Sequence, residues 1–152
     1  ECLGDLRSGP ATSAIGAYTV TVAGGMVSID LRTPPSCGPG RFQAKVANGS
    51  VELPFADVKE LATVGGSWKG QPVGLADTLI VARTGDTTAS ALSAICTHAG
   101  CPVAYRTAEK AFRCGCHGSM FSVTGMVTMG PAGKALKQYQ VSVAADRIIV
   151  TI

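Results

Sequence analysis

With 152 residues, 46% of them apolar and 15% charged, the chain is long enough to enclose one core and too apolar to be disordered throughout. Thirteen basic against ten acidic residues leave a net charge of +3, and no basic run is interleaved with aromatics, so nucleic-acid binding has no footprint. No stretch approaches the roughly 18 to 20 consecutive apolar residues that span a bilayer, and Glu1-Cys2-Leu3-Gly4-Asp5 lacks the charged and apolar regions of a signal peptide, so any targeting or anchoring segment is expected outside this chain.

Nineteen glycines and eight prolines punctuate short runs rich in Val, Ile and Thr, and no window sustains a 3.6-residue apolar period beyond about two turns. The expected class is all-β. In chain order, strands are expected at 18–22 and 26–31, joined by the turn Ala23-Gly24-Gly25, then at 42–46, 79–83, 91–95, 138–143 and 148–152. Ala56 to Leu61, opened by Pro54, is the one helical piece, and it is too short to organise a fold. Composition shifts near Asn48-Gly49-Ser50: before it lies a Gly-, Thr- and Pro-rich segment containing Pro34-Pro35-Ser36-Cys37-Gly38-Pro39-Gly40, and after it strands and turns follow regularly. The chain is therefore divided into residues 1–48, an N-terminal extension read either as an elaborating β-hairpin or as a separate interaction piece, and a main domain over 49–152.

Of the six cysteines and two histidines, six lie between Cys96 and His117. The first group reads Cys96-Thr97-His98-Ala99-Gly100-Cys101-Pro102 and the second Cys114-Gly115-Cys116-His117-Gly118-Ser119. A lone Cys/His pair serves zinc as readily as iron. Two such pairs, each with an extra cysteine in its loop, exceed the four ligands that a zinc knuckle needs.

The two groups resemble the Rieske iron-sulfur family, whose loops read C-x-H-x-G-C and C-x-C-H-G-S. The resemblance continues at Gly130-Pro131-Ala132, which is similar to that family's proline loop, and covers roughly residues 50–152, with the cluster-binding loops at about 95–132. It implies an antiparallel β-sandwich with a small two-loop subdomain carrying one 2Fe-2S cluster. Carried over position by position, Cys96 and Cys114 would hold one iron, His98 and His117 the other, and Cys101 and Cys116 would form a disulfide; the rival reading for this last pair is two free thiols. Ser119 would donate to a bridging sulfide and Pro131 would cover the cluster, against the alternatives of a surface serine and an ordinary turn proline. Glycines at 100, 115 and 118 are expected to let backbone amides approach the sulfurs. Two ferric ions, two sulfides and two thiolates sum to zero charge, whereas four thiolates would leave −2, so reduction is easier: roughly −150 to +300 mV, against about −400 mV for four-cysteine plant-type clusters.

Cys2 and Cys37 remain. An even count favours a second disulfide between them, with a lipid-anchored Cys2 as the alternative, although Glu1 does not suit a lipoprotein cleavage site. Trp68 and the three tyrosines receive no role.

The extra disulfide is similar to that of the higher-potential branch associated with cytochrome bc-type quinol oxidases, which implies an oxidising, extracytoplasmic setting. Ala99, Gly115 and Phe121 depart from that branch, which usually has leucine, proline and tyrosine there; without a tyrosine hydroxyl at 121, a lower potential is expected. No catalytic residue is assigned, because an oxygenase would need a separate mononuclear iron held by two further histidines and a carboxylate. The expected function is one-electron transfer, as a subunit of a cytochrome bc-like complex or as a soluble carrier. The alternatives are a small subunit of a periplasmic oxidoreductase with its catalytic centre on a partner chain, and a ferredoxin serving an oxygenase. Expected partners are redox proteins, a cytochrome or an oxidoreductase large subunit, with membrane association only through an anchor or partner complex.

Overall fold

The computed structural model describes residues 19–30 and 42–152; Cys2, Cys37 and the question of their pairing lie outside these. The chain divides into two units, 1–41 and 42–152. In the first, β1 (Thr19–Ala23) and β2 (Met26–Asp30) pair antiparallel. Their turn is Gly24-Gly25 with φ of +58° and +79°, and two consecutive positive φ values are what a tight hairpin of matching twist requires.

The second unit holds β3 (Val46–Ala47), β4 (Ser50–Pro54), β5 (Ser67–Gly70), β6 (Leu79–Arg83), β7 (Ala89–Ser93), β8 (Val103–Arg106), β9 (Ala111–Cys114), β10 (Met120–Phe121), β11 (Val127–Met129), β12 (Gln138–Val143) and β13 (Arg147–Thr151). The all-β expectation is met, and the expected helical piece is a single 3-10 turn over Lys59–Ala62. Seven strands join in the order β3-β4-β13-β12-β7-β6-β5, and four in the order β11-β10-β9-β8, with antiparallel pairing between these strands.

Strand β12 makes the larger sheet a sandwich. Its first residues, Gln138 and Tyr139, pair with β7, and Gln140 to Val143 pair with β13. The two halves then face one another: Val51, Leu53, Ile148 and Val150 pack against Leu79, Val81 and Ala91 in one core. Each fully buried aliphatic side chain contributes roughly 1.5 to 3 kcal/mol.

The uninterrupted apolar run Leu79-Ile80-Val81-Ala82 has a separate cause. Alternation sends Leu79 and Val81 into that core, while Ile80 and Ala82 enter a second one with Leu92, Phe112 and Phe121. A strand covered on both faces needs no polar positions. The four-stranded sheet is thereby seated on the outer face of β6 and β7, and the Cys/His loops hang from it.

Candidate metal centre

The two Cys/His loops share one backbone design. In the first, the Cys96 amide donates to the Cys101 carbonyl (2.8 Å) and the Gly100 amide to the Cys96 carbonyl (2.9 Å); in the second, Cys114 donates to Ser119 (2.8 Å) and Gly118 to Cys114 (3.2 Å). Each loop is thus closed between its first cysteine and the residue five places on, with glycine at the fourth. Gly100 and Gly118 have φ of +72° and +77°, a left-handed conformation that costs an L-residue roughly 1 to 2 kcal/mol. These two amides shape the loops by bonding carbonyls. Gly115 has neither a positive φ nor any protein atom within 4 Å of a would-be Cβ, so the protein does not require glycine there.

Cys101 and Cys116 are disulfide-bonded, joining the end of the first loop to the middle of the second, so the free-thiol alternative for this pair is excluded. Cys96 and Cys114 are free and buried, 2% and 1% exposed. His98 and His117 are exposed, with their Nδ1 atoms 3.2 Å apart and their rings nearly perpendicular. Two nitrogens bound to one ion at about 2.0–2.1 Å with a tetrahedral angle stand roughly 3.3–3.4 Å apart, close to the spacing of the two imidazoles.

The four donors form two pairs, thiols toward the core and imidazoles toward solvent. Among the described residues, no three of the four gather closely enough to surround one ion; the close group found is Cys114 beside the Cys101–Cys116 disulfide, whose bonded sulfurs offer no thiolate. A single tetrahedral zinc needs all four donors around one point. Two pairs at two ends fit a dinuclear centre bridged by its own sulfides.

Burial pushes the Cys96 thiol up, and the neighbouring Cys114 thiol adds to this, while the polar His98 backbone amide and Ser119 hydroxyl nearby act the other way. A thiolate in so apolar a place calls for adjacent positive charge, which a metal supplies. Ser119 is fully buried, so it is not a surface serine, and its oxygen also accepts the Ala132 amide at 3.0 Å. That bond ties the second loop to the segment containing Gly130 and Pro131. Thr97 ties the first loop to the same segment through its hydroxyl, which donates to the Lys134 carbonyl at 2.6 Å. Pro131 is exposed at the rim, Ala132 is buried beneath it, and Phe121 is fully buried in the apolar cluster that contains Cys96 and Cys114.

Sequence reasoning missed a polar brace at the root of the first loop. The Asp77 carboxylate accepts from the Ser93 hydroxyl (2.9 Å) and from the Tyr139 hydroxyl (2.7 Å), and the Ser93 oxygen accepts the Ile95 amide (3.3 Å). Burial and the bond to Asp77 push the Tyr139 phenol up, so it stays a donor. Ser93 and Tyr139 lie 16 and 62 residues from Asp77 in sequence, and no local pattern marks them. Thr97 stood inside the first motif, and its polar side chain between two ligand candidates was the available signal.

Comparison with known proteins agrees with this geometry. Residues 52–140 match the family described as Rieske [2Fe-2S] domain. The cytochrome b6-f complex iron-sulfur subunit of Synechococcus sp. strain JA-2-3B'a(2-13) is 32% identical over 141 residues, covering 88% of this chain and 78% of that protein. A solved structure, the cyanobacterial plasma membrane Rieske protein of Synechocystis PCC 6803, is 34% identical with a TM-score of 0.54, covering 66% of this chain and 96% of that one. The ferredoxin of carbazole 1,9a-dioxygenase from Nocardioides aromaticivorans IC177 is 27% identical with a TM-score of 0.50, covering 59% and 86%.

Proposed function

This chain belongs to the Rieske 2Fe-2S family, and from that premise we propose that Cys96 and Cys114 hold one iron of its cluster and His98 and His117 the other. The bound cluster supplies a one-electron couple, and the chain transfers single electrons through it. The observation that carries the ligand assignment is the pairing of two buried free thiols with two exposed imidazoles whose Nδ1 atoms stand 3.2 Å apart.

The protein's own groups then divide the work. Cys96 and Cys114 hold the core end, where Phe112, Phe121 and Leu136 exclude water. Ser119, whose hydroxyl lies near the Cys96 thiol, would donate to a sulfur of the cluster and favour the more negative reduced state, and its oxygen holds the Ala132 amide. His98 and His117 present the solvent edge, the short path by which an electron would leave.

The setting is extracytoplasmic, in a redox chain whose partner is another electron-transfer protein, as a subunit of a cytochrome bc-like complex or as a soluble carrier. The Cys101–Cys116 disulfide supports the oxidising compartment, and likeness to b6-f iron-sulfur subunits supports the partner class. Among the described residues no helix is long and apolar enough to cross a membrane. A ferredoxin serving an oxygenase is the second reading, favoured by the likeness to the carbazole dioxygenase ferredoxin.

Metal analysis and EPR test the assignment. Protein matured in its host should contain iron and acid-labile sulfide in equal amounts and, once reduced, give the EPR signal of a 2Fe-2S centre with mixed nitrogen and sulfur ligation. His117→Cys should shift that signal toward the all-sulfur type or abolish it; a wild-type spectrum from that variant would remove His117 from the ligand set. A potential near the bottom of the Rieske range, roughly −150 mV, would favour the oxygenase ferredoxin.

A further inference from the structure

The Asp77 carboxylate stands where three segments meet: its own, which leads into β6; the end of β7, which leads into Cys96; and the start of β12, which follows the segment holding Ala132 and Lys134. Each of its oxygens takes one hydroxyl, Oδ1 that of Ser93 at 2.9 Å and Oδ2 that of Tyr139 at 2.7 Å. Ser93 and Tyr139 are both buried. Two donors on one side chain call for a group that only accepts, which an ionised carboxylate is and an amide is not. Hydrogen bonds to a charged acceptor are also the stronger kind. The exposed Lys137 ammonium lies over the Tyr139 ring, 4.5 Å from its centre.

The consequence falls on the first Cys/His loop. Ser93 gives its proton to Asp77 and turns its oxygen to the Ile95 amide at 3.3 Å, and Ile95 immediately precedes Cys96. The Ser93 amide donates to the Lys137 carbonyl at 2.8 Å, and the Ala94 amide to the Thr78 carbonyl at 2.7 Å. Three successive residues before Cys96 are thus held, alternately by the Asp77 segment and by the start of β12. Groups that orient a ligand tune the metal it binds.

Resting on the cluster reading, we propose that Asp77 is a positioning residue of the redox centre. Through Ser93 it fixes the backbone that enters Cys96, and through Tyr139 it holds that backbone to the strand that follows the covering segment. It acts on the cluster through Ser93, not by contact.

Ser93→Ala cuts this link and leaves the carboxylate in place. Loaded with iron and sulfide and then reduced, it should give an EPR signal with shifted or broadened g features, and its potential should move from that of wild type. Asp77→Asn should change the spectrum in the same way, with a potential above that of Ser93→Ala because a negative charge has gone. Val51→Ala opens space in the sandwich core instead; it should unfold at a lower temperature and keep the wild-type spectrum and potential. Wild-type spectra and potentials in both brace variants, or the same change in Val51→Ala, would reduce the brace to a matter of stability and overturn the proposal. A second readout needs no metal. In hydrogen exchange of the chain as purified, read by mass spectrometry, fragments covering residues 94–97 should exchange several-fold faster in Asp77→Asn than in wild type, while fragments from β13 keep their rate. Unchanged exchange at 94–97 would also overturn the proposal. A wild-type chain without the 2Fe-2S EPR signal would sink the cluster reading instead, and the exchange measurement would still decide whether Asp77 fixes the loop.

Discussion

Ser119 accepts the Ala132 amide at 3.0 Å across 13 residues of chain, with both residues buried. The same hydroxyl lies near the Cys96 thiol and opposes the upward push of burial on it, which places it between a proposed ligand and the segment at Ala132. In Ser119→Ala the Ala132 amide loses its acceptor in an apolar site, at a cost of roughly 1 to 3 kcal/mol. Where the hydroxyl donates to a sulfur of the proposed cluster, the reduced state also loses that donor. The potential should fall by some tens of millivolts, at about 40 mV per kcal/mol of differential stabilisation for one electron, and denaturant titration should show the lost stability. An unchanged potential would detach Ser119 from the cluster.

Phe121→Tyr should move the potential the other way. Residue 121 is fully buried and packs in the cluster of side chains that includes Cys96 and Cys114. The added hydroxyl must find a partner there, and a sulfur ligand is the acceptor expected from the family's tyrosine. Redox titration should show a rise of roughly 20 to 80 mV, corresponding to about 0.5 to 2 kcal/mol. Lost stability with no rise would place the hydroxyl elsewhere.

Removing the Cys101–Cys116 bond should weaken retention of the cluster. The bond spans a sequence separation of 15, and loop closure of that size stabilises by roughly 3 kcal/mol in the chain-entropy model. In Cys101→Ser the visible absorption of the cluster should bleach several degrees below wild type on heating. Equal bleaching temperatures would show that the backbone bonds and the covering segment already hold the loops.

The glycines of the second loop offer an internal contrast. Gly118→Ala forces a side chain into a φ of +77° and should cost about 1 kcal/mol or more. Gly115→Ala meets no protein atom within 4 Å and no positive φ, and should stay within about 0.5 kcal/mol of wild type. Equal losses in equilibrium unfolding would refute the conformational argument.

What was legible in the sequence depended on how local its cause is. The run at β6 and the alternation of β12 gave both strands their observed bounds, because burial on two faces or one writes a pattern into the side chains. The strand expected at 91–95 is Ala89–Ser93: Ser93 turns to Asp77, and Ile95, 36% exposed, already begins the first loop. The strand expected at 42–46 is Val46–Ala47. Strands β4 and β5 were overlooked beside a proline and a glycine, and β8 to β11 because they are short and interrupted by Cys, His and Gly. Their order comes from packing on β6 and β7, which is tertiary. The Cys/His positions were legible since each loop keeps its donors within a few residues. The Thr97–Lys134, Ser119–Ala132 and Asp77–Tyr139 bonds join distant segments and leave no local mark.

The matching closure of the two Cys/His loops bears on how the protein is assembled. Neither the bond from Gly100 to Cys96 nor that from Gly118 to Cys114 involves a donor atom of the site, so each loop is expected to be a prefabricated jaw that takes its shape without metal. Maturation is then a matter of loading iron and sulfide between two finished pieces, not of folding chain around them. Cluster-free protein should keep the Gly100 and Gly118 amides slow to exchange with deuterium; exchange at the rate of an unstructured peptide would mean that the metal shapes its own seat.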